Sequence, residues 1–99
     1  MERERDTESY FRKRAETLGC LLLKWVSPGN DGVPDRILII PGGHVWFIEF
    51  KTTAGRLSKI QQLWQQRLKE RGCKAIVIRG KEEAAELAEA IKAYMTGGG

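Results

Sequence analysis

Asp35-Arg36-Ile37-Leu38-Ile39-Ile40-Pro41-Gly42-Gly43-His44-Val45-Trp46-Phe47-Ile48-Glu49-Phe50-Lys51 is the stretch on which the fold of this 99-residue chain turns. An apolar run meets Pro-Gly-Gly and is followed by a second run of strand-forming residues, so the segment reads as a β-hairpin. Side chains alternate across a strand. Val45, Phe47, Glu49 and Lys51 therefore share one face of the second arm, and Trp46, Ile48 and Phe50 the other. Both faces start apolar, which predicts a central strand covered on both sides. Counting outward from the turn, Ile40 faces His44 and Asp35 falls near Glu49.

The rest of the chain is read outward from this hairpin. Upstream, Phe11, Ala15 and Leu18 recur at helical spacing beside Tyr10, predicting a helix from about Asp6 to Leu18 that Gly19 stops. Cys20 to Val26 reads as a strand, and Ser27-Pro28-Gly29-Asn30-Asp31-Gly32 as a loop. Downstream, a loop from Thr52 to Leu57 leads into a helix from Ser58 to about Arg71, with Ile60, Leu63, Trp64 and Leu68 as its apolar positions. Cys73 to Arg79 is a fourth strand. Gly80 turns the chain into a last helix, Glu82 to Met95, with Ala84, Leu87, Ala88, Ile91 and Met95 on one face. The order α-β-β-β-α-β-α implies a mixed sheet with one parallel, right-handed crossover between Glu49 and Arg79.

Composition narrows the function classes. Seventeen Lys and Arg against thirteen Asp and Glu leave a net charge of +4, which permits a polyanionic partner. With 41% hydrophobic and 30% charged residues, the chain can bury one modest core and is neither a disordered tail nor a disulfide scaffold. One domain over residues 1–96 is expected, with 97–99 as a flexible glycine tail. The apolar runs Leu21–Leu23 and Ile37–Ile40 fall far short of the ~20 residues of a membrane span. The charged start Met1–Asp6 has no apolar segment behind it, which argues against a secretory signal and for a cytoplasmic protein without membrane contact. Cys20 and Cys73 are expected to be buried free thiols. Arg12, Lys13 and Arg14 are expected to be a solvated helix face, and His44 a surface turn residue.

Three charged residues stand where a core would take apolar ones: Asp35 at the head of one strand, Glu49 and Lys51 at the end of the next. The hairpin brings two carboxylates and one ammonium to one end of the sheet, beside the Gly-rich loop 27–33. Oxygen ligands of this kind suit Mg²⁺ or Mn²⁺, and the backbone carbonyl of Phe50 is a further candidate ligand. Lys51 is placed to orient or deprotonate a water, or to neutralise charge developing on a phosphate. That chemistry is phosphodiester hydrolysis. Glu8 is an acid at the head of a buried helix stripe. It also suits the positive end of the helix dipole.

Pro34-Asp35, a hairpin's separation, then Glu49-Phe50-Lys51 resembles the PD-(D/E)xK nuclease pattern. Gly32-Val33-Pro34-Asp35-Arg36, Phe47-Ile48-Glu49-Phe50-Lys51-Thr52 and Gly55-Arg56-Leu57-Ser58 with Gln61 are more closely similar to the VRR-NUC branch, in its stand-alone phage and bacterial form. The resemblance implies an α/β, restriction-endonuclease-like mixed sheet of about four strands flanked by helices. It implies that Asp35 and Glu49 are metal ligands, Lys51 the catalytic lysine and Glu8 a further metal-linked acid. Gln61 would support the lysine or a water, although Ser58 to Gln61 also fits a helix capping box. It implies DNA cleavage with Mg²⁺ or Mn²⁺, selective for branched DNA such as four-way (Holliday) junctions, by a homodimer. A flap or nicking nuclease and a non-catalytic DNA-binding accessory module are the alternatives. Lys24, Arg36, Arg56 and Lys59 lie near the site as candidate phosphate contacts.

Overall fold

The computed structural model describes residues 2–97; the expected tail at Gly98 and Gly99 lies outside them. Strand β1 (Leu21–Lys24) pairs antiparallel with β2 (Arg36–Ile40), and β2 antiparallel with β3 (His44–Lys51). β3 pairs parallel with β4 (Lys74–Arg79), giving a four-stranded sheet in the order β1-β2-β3-β4. Helix α1 (Glu4–Thr17) precedes the sheet, α2 (Lys59–Glu70) forms the crossover between β3 and β4, and α3 (Gly80–Thr96) ends the chain. The element order is the expected one. The hairpin register is also the expected one, running from Ile40 opposite His44 to Arg36 opposite Ile48.

The core lies on one face of the sheet. Leu22, Leu38, Ile40, Trp46, Ile48, Phe50 and Ile78 point into it and meet Phe11 and Ala15 of α1 and Ala84, Ala88 and Ile91 of α3. The Phe11 and Phe50 rings pack at a centroid distance of 5.9 Å. The apolar stripes predicted for α1 and α3 are the buried ones. α1 starts earlier than predicted, because the Arg3 backbone N–H donates to the Asp6 carboxylate and caps the first turn. α3 starts at Gly80, directly out of β4, with the Glu83 carboxylate accepting the Arg79 backbone N–H at 2.8 Å.

The other face is only half covered, which corrects two expectations. α2 packs beside β4, and its buried residue is Gln65, whereas Ile60 and Leu63 are 43% and 38% exposed. The expected stripe does not cover the sheet because part of it serves the β1–β2 loop. Trp64 Nε1 donates to the Asp31 carbonyl at 2.8 Å, and Gly32 lies against Ile60. With α2 drawn to that side, β3 is not covered on both faces: Val45 is 47% exposed, next to Leu21 at 55% and Leu23 at 46%.

Smaller departures have local causes. β1 ends at Lys24 rather than Val26; Trp25 keeps one hydrogen bond to the Asp35 carbonyl and stacks on Phe47 as the chain leaves the sheet. Arg12 does not belong to a solvated face. It is half-buried, pairs with Glu8, and donates to the Leu22 carbonyl at 2.7 Å on the sheet's edge strand. Arg14 likewise joins Tyr10 and Glu89, and His44 packs edge-on against Tyr94. Both cysteines are free, but only Cys20 is buried; Cys73 sits at the half-open start of β4. No helix of the described residues is long and apolar enough to cross a membrane.

The loop contact gives a stability test. Gly32 has φ +88°, and a Cβ there would stand 2.8 Å from Ile60 side-chain carbons; Gly29 has φ +82° with nothing within 4 Å. Gly32→Ala should therefore cost roughly 2–4 kcal/mol, combining backbone strain with overpacking. Gly29→Ala should cost only about 1 kcal/mol of backbone strain. Denaturant titration of the two variants separates them, and equal losses would mean that the loop does not dock on α2.

Candidate active site

The hairpin register continues one pair outward from Arg36 and Ile48, so Asp35 faces Glu49. Both carboxylates, with Lys51 two residues on, lie on the face opposite the core, where a strand's alternation must put them. Glu49 is only 5% exposed, and Asp35 is half-buried with its Oδ1 buried and without a hydrogen-bond partner. Burial raises the Asp35 carboxyl above its ordinary range; the Arg36 charge and the Phe50 backbone N–H oppose this, and Glu4 adds to it. Burial also pushes Glu49 up to about 7. The Asp35 charge pushes the same way, against the attraction of Lys51.

The loop after β3 folds back on Lys51: a Cβ on Gly55 would stand 3.2 Å from the Lys51 Cβ. α2 then begins under Ser58, whose hydroxyl accepts the Gln61 backbone N–H. The Gln61 side chain works in two directions. Its carbonyl accepts the Ser58 backbone N–H at 2.8 Å, and its amide donates to Glu49 Oε2 at 3.4 Å. The same side chain thus caps α2 and reaches Glu49, not Lys51. Phe50 stands between Glu49 and Lys51 on β3, its ring 2% exposed in the core and its N–H turned to Asp35.

Glu8 lies on the α1 side. Its carboxylate pairs with Arg12 and stands 3.6 Å from Arg36 Nε, and Arg36 belongs to the core-facing side of β2. The α1 acid whose charge acts on both Asp35 and Glu49 is Glu4. Glu4 escaped the sequence reading, although it stands one helical turn before Glu8 and so on the same helix face. Of the candidate phosphate contacts, Lys24, Arg56 and Lys59 are exposed. Arg36 is half-buried, and Nη1 is committed to the Asp35 carbonyl at 3.0 Å.

Among the described residues no three His, Cys, Asp or Glu side chains converge into a ready-made metal cage. The site instead offers two adjacent carboxylates, one with an unpartnered buried oxygen. This donor set fits Mg²⁺ or Mn²⁺, which commonly take one or two carboxylates and leave other positions to phosphate and water.

Residues 7–82 match the profile of the VRR-NUC domain. The chain belongs to the VRR-NUC nuclease family. It is similar to a protein named "Putative nuclease p44" from Acyrthosiphon pisum secondary endosymbiont phage 1, 31% identical over 80 residues, covering 81% of this chain and 86% of that one. A solved structure described as a VRR_NUC domain superposes with a TM-score of 0.82 at 30% identity, covering 87% of this chain and 94% of the other. The matched VRR-NUC span includes Glu8, Asp35, Glu49, Lys51 and Gln61, and leaves out Glu4.

Burial of Glu49 should make the stability of the VRR-NUC fold depend on pH. The carboxyl's folded value near 7 lies above the 4.5 of an ordinary glutamate, so the folded state holds a proton that the unfolded state releases between these values. The stabilisation is complete below about 4.5 and is lost as pH rises through 7. In chelator, stability should fall by up to about 3 kcal/mol from acid to mildly alkaline pH, and Glu49→Gln should flatten that slope. Thermal melts across pH check both. A wild type as stable at alkaline as at acid pH would mean that Glu49 ionises freely.

Proposed function

We propose that this VRR-NUC protein is a Mg²⁺- or Mn²⁺-dependent endonuclease that hydrolyses DNA phosphodiester bonds, acts on branched DNA such as four-way junctions as a homodimer, and works in the cytosol of a bacterial or phage-infected cell. The observation that carries the reading is the adjacency of Asp35, Glu49 and Lys51 at one sheet end, with Asp35 Oδ1 buried and unpartnered. Asp35 and Glu49 would hold the cation, with the Phe50 carbonyl and, across α1, Glu8 as further candidates. When bound, the cation supplies Lewis-acid polarisation of the phosphoryl oxygen and a lower pKa for the attacking water.

The chain's own groups do the rest. Gln61 holds Glu49 in place through its amide. Lys51 brings a positive charge to the phosphate as water adds to phosphorus and the P–O bond to the leaving group breaks. That charge counts most in the transition state, where negative charge on the phosphoryl oxygens is greatest. Lys24, Arg36, Arg56 and Lys59 would contact backbone phosphates. The apolar face around Leu21, Leu23 and Val45 supports the homodimer, since two isologous copies would each cover the other's exposed patch and pair two identical sites.

Cleavage of four-way junction, flap, nicked and linear DNA, with Mg²⁺ and with chelator, tests the reading. Cutting should need the cation and favour the junction. Mg²⁺ should raise the melting temperature of the wild type through binding to the native state, and Asp35→Asn should lose both the shift and the activity. Lys51→Ala should lower turnover by at least a hundredfold with DNA affinity nearly unchanged. An Asp35→Asn protein cutting at the wild-type rate would overturn the site. Single-strand cutting of flaps by a species that light scattering shows to be monomeric would replace the junction-cutting dimer with a flap nuclease.

A further inference from the structure

Beyond the carboxylate site, the same sheet end carries a second basic feature. Arg79 ends β4 as the direct parallel partner of Lys51, so the two side chains leave the sheet on the same face. Arg79 lines a cavity of about 480 Å³ with Thr53, Gly55, Arg56 and Gln62, and no acidic side chain lines it. Thr53 is turned away, its hydroxyl donating to Glu2. The Arg79 guanidinium is anchored at one corner: Nε donates to the Gly55 carbonyl at 3.1 Å. Among the described residues Arg79 has no carboxylate partner in an ion pair. Arg79 also borders a second cavity of about 440 Å³ that Glu2, Glu82, Glu83 and Glu86 line, but it pairs with none of them, so its two terminal nitrogens remain open to a phosphate, which a guanidinium fork can grip through two parallel hydrogen bonds.

We infer that Arg79 and Arg56 form a phosphate subsite for the DNA backbone, taking the phosphate next to the one positioned at Lys51. The inference rests on the nuclease reading and extends it. Neighbouring strands are roughly 4.8 Å apart. That sideways step, with the length of the arginine side chain, carries the guanidinium past the scissile phosphate to its neighbour. Arg56 faces the same cavity from the loop and adds a second positive charge. The subsite would fix how the strand lies over Asp35 and Glu49 and leave the chemistry to them, so Arg79 is a binding and positioning residue.

The test measures affinity and turnover separately on Arg79→Gln and Arg79→Lys. Binding of a short fluorescein-labelled duplex is read by anisotropy across a salt series in Ca²⁺, and cleavage of the same duplex in Mg²⁺. Arg79→Gln should weaken binding roughly tenfold and lower the salt slope by about one, with KM raised and kcat within about twofold of wild type. Arg79→Lys should restore the slope but only part of the affinity, since an ammonium lacks the fork. Unchanged affinity and slope in Arg79→Gln would overturn the subsite. So would a fall in kcat at constant KM, because Arg79 would then act only by holding the Gly55 turn against Lys51. A wild type that neither binds nor cuts DNA overturns the nuclease reading itself, whereas a cutting wild type matched by Arg79→Gln overturns the subsite alone.

Discussion

Two like-charged carboxylates sit side by side because the hairpin that carries them cannot slip. A one-residue shift between β2 and β3 would turn Leu38 and Ile40, or Trp46, Ile48 and Phe50, from the core to solvent. Each such side chain is worth about 1.5–3 kcal/mol of burial. That sum far exceeds what Asp35 and Glu49 could regain by moving apart. The repulsion is held at the far end of a register fixed by the apolar face, and at Glu49 it adds to the burial that raises the carboxyl's proton affinity. A cation bound between the two carboxylates would relieve it without moving the backbone.

The surrounding helices serve this arrangement with groups that also have structural duties. Gln61 accepts the Ser58 N–H with its carbonyl, and that fixes which end of the amide remains for Glu49. The remaining end is a donor, so α2 offers the carboxylate a hydrogen bond and not a further negative charge. On the other side of the sheet, Arg36 ties β2 to α1 through Glu8, and Arg12 ties the same Glu8 to the edge strand through the Leu22 carbonyl. Glu8 is thus a hub of two arginines, and any wider role it has is exerted from within that network.

Much of this was legible from residue order. Strand alternation and a short turn were enough to pair Asp35 with Glu49, because antiparallel register follows from counting across a hairpin. The α3 stripe was legible because its apolar positions all face one core, between α1 and the sheet. The α2 stripe was not. Ile60 and Trp64 face a loop, and the sheet-side position is taken by Gln65, whose polar head gives no periodic signal. Arg79 was hidden for a different reason: a parallel register across a helical crossover cannot be counted from sequence, so nothing local shows that it stands beside Lys51. Arg12 read as solvated because a charge run carries no mark of the carbonyl that one of its members will meet.

The open half of the second face follows from topology. One crossover helix between two adjacent parallel strands lies over those strands, and α2 is further tied by Trp64 to the β1–β2 loop. Among the described residues no other helix is left to cover Leu21, Leu23 and Val45. Nucleic acid is a poor cover for such a surface, since its phosphates prefer the charged end where Lys51, Arg56 and Arg79 gather. The face therefore divides into a polar end suited to a polyanion and an apolar end suited to protein. A second copy would satisfy both at once, burying the apolar end against its own and leaving two charged ends free to engage two strands.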